Sequence, residues 1–218
     1  MGLGVRMKFK IGDALDIAHC TVLKHEFLLC EDAFKDFETY GRLMVMKAQA
    51  EAEGRPAASL GEKRLIAYKA YNAYARFIHH LYEFMLGAVQ RDRCDTTKLE
   101  GEIASRYIQG HAQRVLTGRR QAILNGTAPI WENHISYFPE KVPPEFATQF
   151  RELRNKAIAH VTHERASIDL SGFYDKYHKY IHMLYWNCRG HWGLRDQAFP
   201  DLNEITGFSV LMRSGGLP

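Results

Sequence analysis

The stretch IAYKAYNAYARFIHHLYEFMLGAV, residues 66–89, decides the fold. Ile66, Ala70, Phe77, Leu81, Met85 and Val89 recur at helical spacing on one face, and Tyr71, Tyr74, Ile78 and Tyr82 widen it. An apolar stripe this broad belongs to a helix packed against two or more neighbours. The helix is expected from about Glu62 to Arg91, opened by a capping box of Ser59 and Glu62. Opposite the stripe, Asn72, Arg76, His79 and Glu83 form a polar line at i, i+4, i+7 and i+11. The line fits an ordinary solvent-facing stripe as well as one edge of a functional site.

Working outward, every neighbouring segment also reads as helical. Leu15, Leu23, Phe27, Phe34 and Phe37 mark a long first helix from about Gly12 to Glu53, stopped by Gly54 and Pro56. Thr97 and Glu100 are the expected cap of a third helix, about Lys98 to Leu124. The segment 125–144, with Gly126, Pro129, Pro139, Pro143 and Pro144, reads as an ordered loop carrying Trp131, Tyr137 and Phe138. Pro144 then suits the first turn of a fourth helix reaching about His163. A fifth runs from about Ser171 to Arg189, with Phe173, Tyr177, Tyr180, Ile181, Leu184 and Cys188 inward. No alternating strand pattern and no internal repeat interrupts this series. The expectation is therefore all-α: one domain over residues 1–218, an antiparallel bundle of about five helices. Within it, 1–56 holds the N-terminal long helix, 62–189 the core bundle and 190–218 an irregular tail.

Composition narrows the functional classes. Over 218 residues, 46% hydrophobic and 12% aromatic content supports a real core and excludes global disorder. The net charge of +4 is compatible with a nucleic-acid partner without requiring one. That surplus matches one segment, Arg106 to Arg120, which holds Arg106, Arg114, Arg119, Arg120 and His111 and no acid. It reads either as a solvated helix face or as a track for phosphates. Cys20, Cys30, Cys94 and Cys188 are scattered, as reduced thiols would be. No apolar window is long enough for a signal peptide or a membrane span, and Arg6 stands where a myristoylation signal needs Ser or Thr. A cytoplasmic protein without membrane partners is the expectation.

The chemistry concentrates in Leu153-Arg-Asn-Lys-Ala-Ile-Ala-His160 on the fourth helix. Phe146, Phe150, Leu153, Ala157 and Val161 form its inward arc, with Arg154 and His160 bordering that arc on opposite sides. Six residues of separation put them about 9 Å apart along an ideal helix and about 120° apart around it. One straight helix therefore cannot close both on a small group. Convergence requires a local helix distortion or a second copy of the chain. A cleft holding these groups suits RNA strand cleavage. His160 would exchange protons with a ribose 2′-hydroxyl. Arg154 would clamp the scissile phosphate through its forked donors, and Asn155 would orient phosphate or imidazole. The attacking oxygen belongs to the substrate, so the reaction calls for no metal or cofactor.

The same string, an arginine, a polar neighbour and a histidine after four intervening residues, resembles the signature of the HEPN superfamily. It is most similar to HEPN proteins of abortive-infection and toxin–antitoxin systems. The resemblance extends loosely over Glu62 to Arg189, including the helix from Tyr71 to Glu83, and only the short motif is specific. It implies a homodimeric, metal-independent endoribonuclease with a composite site at the dimer interface, used in antiviral defence or stress and restrained by an antitoxin or regulatory protein. It assigns Arg154, Asn155 and His160 to catalysis, and an acidic residue on the second helix, here Glu83, to the site. Some relatives are neutralised by modification of a tyrosine two positions after the histidine; Thr162 occupies that position here. Arg106, Arg114, Arg119, Arg120 and Lys156 are the candidate RNA contacts.

Two other readings use the same residues. In one, a non-catalytic module of this type binds RNA, a nucleotide or a protein partner through Arg154 and Asn155. In the other, a structural helical dimer pairs Arg154 with a carboxylate such as Glu152 or Glu83 of a neighbour. His178 and His182, four apart, have metal-compatible spacing without the accompanying glutamate, as do His79 and His80 beside Glu83. Trp186, His191 and Trp192 could stack on bases or simply pack.

Overall fold

Asp13 starts the first helix, α1 (Ala14–Ala52), by accepting the backbone N–H groups of Leu15 and Asp16 at 2.9 Å each. Ser59 starts α2 (Leu60–Asp92) in the same way, accepting from the backbone of Glu62 at 3.1 Å. Then follow α3 (Gly101–Leu124), a 3-10 turn (Ile135–Tyr137), α4 (Phe146–Arg154) and α5 (Leu170–Trp192). This computed structural model describes residues 8–56, 58–156 and 168–192. Among them the architecture is an all-α bundle of five helices, the only strand-like pairing being an antiparallel bridge between Lys8 and Asp95.

A ladder of polar pairs sets α1 and α2 antiparallel. Asp16 meets Arg91 (2.8 Å), Glu26 meets His80 (2.8 Å), Asp36 meets Arg76 (2.6 Å) and Lys47 meets Glu62 (2.6 Å). The numbers rise on α1 as they fall on α2. The helices approach so closely at Gly87 that a Cβ there would collide with Leu23.

α2 lies at the centre. Phe77, Ile78, Leu81, Tyr82, Phe84 and Met85 are all buried, and buried Ala73, Ala75 and Gly87 widen their arc to about two thirds of the helix circumference. Phe27 and Phe34 of α1 meet Phe84 and Phe77, with ring centroids 5.1 and 4.9 Å apart. Tyr185 of α5 joins them 4.6 Å from Phe34, and Phe150 of α4 stands edge-on to Tyr82 at 5.0 Å. Beyond Phe34, α1 has no buried residue, and between Leu60 and Lys69 α2 buries only Ile66. These lengths form an arm held by its own pairs, Lys47–Glu62 and Lys63–Glu51. The arm leaves Met46, Leu60, Leu65 and Tyr68 more than half exposed.

Several element boundaries differ from the sequence expectation. α3 begins at Gly101 rather than Lys98, and Glu100 supplies no side-chain cap. Thr97 does not cap it because Asp95 takes both its backbone N–H and its hydroxyl. α4 begins at Phe146, and Pro144 sits in the preceding turn that Pro143 closes by accepting the Phe146 N–H. Its α-helical part ends at Arg154, and Asn155 and Lys156 continue it as a π turn. α5 starts at Leu170, with Asp169 accepting the Gly172 N–H, and it runs through Gly190 to Trp192 where an irregular tail was expected.

Asp16 gives this helix pairing a pH signature. Its carboxylate is 3% exposed, and the Arg91 guanidinium, helped by the Gly12 N–H, pulls its pKa down to about 2. A pKa depressed on folding contributes stability that is whole above the unfolded value and is lost as pH falls through the folded one. Asp16→Asn should therefore be less stable than wild type at neutral pH. The gap should close as pH falls from about 4 to about 2, read from urea midpoints across that window.

Candidate functional site

The polar line of α2 is not uniformly turned to solvent. Arg76 is exposed against Asp36, but one and two turns further on His79 and Glu83 are half-buried. They face the end of α4, and Glu83 forms an ion pair with Arg154 within one chain. The pair leaves about a quarter of the Arg154 side chain and 30% of Glu83 open, enough for a solute to reach both. Asn155 Oδ1 accepts from Arg154 Nη1 at 2.8 Å, and the Tyr82 ring lies 5.6 Å beneath the guanidinium carbon. Arg154 Nε is covered and has no acceptor among the described residues. The guanidinium is thus fixed from below and from two sides, while one donor remains uncommitted.

These groups line a groove of about 730 Å³ between α1, α2, α4 and the start of α3. It brings together Arg154, Asn155 and Glu83, three of the four residues expected to form the site. The fourth, His160, lies outside the described residues, as do Ala157, Val161 and Thr162. Four imidazole or carboxylate groups that sequence reading did not assign to this place are also in the groove: His19, Glu26, His79 and His80. His80 Nδ1 donates to Glu26 Oε1 at 2.8 Å, and His19 Nε2 lies 2.9 Å from the Gly87 carbonyl. Burial, assisted by neighbouring His80, lowers the pKa of His79 below that of an ordinary imidazole, so His79 is neutral near pH 7. Its Nδ1 is covered and without a partner among the described residues.

Arg151, one turn before Arg154, adds a second guanidinium. It lies across the start of α3 at Gly101, where a Cβ would strike it. With Lys98, the groove carries three cations against the carboxylates of Glu26 and Glu83. Such a lining can hold an anion while keeping proton carriers beside it. The signal for His79 and His80 was present, since they precede Glu83 by four and three residues on one helix. Glu26 was not legible, because only the register of α1 against α2 places it there.

The basic segment of α3 lies elsewhere. Arg119 pairs with Glu132 at 3.1 Å, and Arg120 donates to the Phe138 carbonyl. Those two arginines pin the 125–145 loop to α3, so each already has a partner within the fold. Arg106 and Arg114 are exposed, but they line other hollows that share no residue with the Arg154 groove. Lys156 is exposed beside Asn155.

The remaining candidates serve packing. His178 stacks on Tyr174 with centroids 4.4 Å apart, and its Nδ1 lies 3.1 Å from the Tyr74 hydroxyl. Burial lowers its pKa to about 4. His182 accepts from Trp186 Nε1 at 2.6 Å, Arg189 covers the Trp186 ring, and Trp192 packs edge-on to Phe84. The His191 side chain is outside the described set.

Comparison of the chain with protein-family models, curated proteins and solved structures finds no match. The groove must be read from its own chemistry.

In that chemistry Glu83 competes with any anion for Arg154. Glu83→Gln keeps the shape and removes the competing charge. It should bind inorganic phosphate about two- to five-fold more tightly, matching the few tenths to 1 kcal/mol of a partly exposed ion pair. Calorimetric titration at low ionic strength measures this, and equal or weaker binding would show that Glu83 does not compete.

Proposed function

We propose that this protein is a metal-independent endoribonuclease of HEPN type, cleaving RNA by attack of the 2′-hydroxyl on the adjacent phosphate. The observation that carries the reading is the state of Arg154. It is half-buried in a groove, braced by Glu83, Asn155 and the Tyr82 ring, and still open to a ligand. A guanidinium held in this way matches a phosphate in geometry and loses little freedom when one binds. In this reading Arg154 stabilises the charge that builds on the phosphoryl oxygens, Asn155 orients the group, and Glu83 holds the guanidinium until substrate arrives. His160, from the same short motif, removes the 2′-hydroxyl proton. The active form is a homodimer with two such motifs at a shared interface, in a defence or toxin–antitoxin setting where a partner protein restrains it.

A second reading has its own support. The ion pair of Arg154 with Glu83 neutralises the guanidinium inside one chain, which suits a module that binds RNA, a nucleotide or a protein without cleaving it. The two readings part on product formation. Purified wild-type protein, incubated with single-stranded RNA in a chelator, should yield fragments with 2′,3′-cyclic phosphate and 5′-hydroxyl ends. Arg154→Ala should cut the rate about 100- to 1,000-fold, as loss of a charge-stabilising donor does elsewhere. His160→Ala should abolish cleavage with helicity and dimerisation intact. RNA retention without products favours the binding module, and full activity in either variant removes the nuclease mechanism.

A further inference from the structure

His80 is a proton carrier in search of a substrate. It sits on the central helix three residues before Glu83, so the two side chains share one face about 5–6 Å apart at their Cβ atoms. Glu83 in turn holds Arg154. The His80 ring and the Arg154 guanidinium line the same groove, His80 on its α1 side and Arg154 on its α4 side. Its Nδ1 is committed to Glu26 at 2.8 Å, and a carboxylate partner makes that nitrogen the donor. Nε2 is left as the nitrogen available to a ligand, on a side chain 20% exposed. A carboxylate fixing the far nitrogen of an imidazole is the arrangement that aims the near nitrogen in acid–base catalysis. Other groups around the groove do not duplicate it. His19 is occupied by the Gly87 carbonyl, and the His79 ring has no carboxylate orienting it: its Nδ1 is covered and without a partner among the described residues.

We infer that His80, oriented by Glu26, is the general acid that protonates the leaving 5′-oxygen in this groove. The inference rests on the ribonuclease reading above and adds the half of the reaction that the Arg-Asn-His motif leaves unassigned. In the step, the 2′-oxygen loses its proton to the base and forms a bond to phosphorus. The bond from phosphorus to the 5′-oxygen breaks, and that oxygen takes the Nε2 proton of protonated His80. The products are a 2′,3′-cyclic phosphate and a 5′-hydroxyl, and His80 is left neutral. Glu26 is a positioning residue: it touches His80 and not the reacting atoms.

A substrate whose leaving group needs no proton separates this role from a structural one. RNA with sulfur in place of the bridging 5′-oxygen departs as a thiolate. His80→Gln should lose about 100- to 10,000-fold in cleavage of ordinary RNA, yet cleave the sulfur-containing RNA at close to the wild-type rate. Glu26→Gln should show the same pattern more weakly, and His79→Gln should not show it. Circular dichroism and thermal melting report folding, and retained cleavage of the sulfur substrate is itself proof of an intact site. Equal losses on both substrates, or rescue seen in His79→Gln instead, overturn the assignment of His80 while leaving the ribonuclease reading in place. A wild-type protein that cleaves neither substrate overturns that reading, and the inference falls with it.

Discussion

A helix buried on most of its circumference can keep polar side chains only where its neighbours leave a gap, and α2 is such a helix. Phe77, Ile78, Leu81, Tyr82, Phe84 and Met85 occupy the directions covered by α1, α4 and α5. His79, His80 and Glu83 fall in the remaining direction, where α1 and α4 diverge. Each of these three would cost free energy if sealed in the core without partners. The groove follows from that constraint as much as from any catalytic demand, because the polar seam must be hydrated, paired or both. Glu26 and Arg154 satisfy part of it, and the rest opens to solvent.

The groove carries three cations against two carboxylates, and Arg154 is itself paired with Glu83. An arginine standing alone there would attract any passing anion, whereas one paired to a carboxylate releases its grip only to a ligand that offers more. Phosphate diesters carry one charge each and present two oxygens to a guanidinium fork, a match that a chloride ion lacks. Pairing thus serves selectivity at some cost in affinity. The Tyr82 ring and the Asn155 amide keep the guanidinium oriented throughout.

How legible this was depended on the distance over which each feature is encoded. The helices were readable because a period of 3.6 residues is written within each one, and Ser59 was readable because its partner lies three residues away. Thr97 misled because it obeys the same spacing while Asp95, closer still, claims its donors. Glu83 was placed beside the motif only by the family resemblance, since the phase of its own helix fits a solvent-facing stripe as well, whereas Arg154 and Asn155 were joined by adjacency. His80 was visible but mute: its meaning comes from Glu26, fifty-four positions away, and thus from the register of two antiparallel helices. Arg119 and Arg120 looked like free positive charge because Glu132 and the Phe138 carbonyl reach them from a loop whose path no periodicity describes.

The arm at the far end of α1 and α2 carries a mechanical consequence. No proline interrupts α2 from Leu60 to Asp92, so the projecting tip and the catalytic-looking seam are two stations on one stiff rod about 50 Å long. His80 and its partner Glu26 both belong to the α1–α2 pair that forms this arm, whereas Arg154, the partner of Glu83, rides on α4. A load on the arm would therefore be borne at one contact of the groove, the pair of Glu83 with Arg154, while Glu26 and His80 travel together.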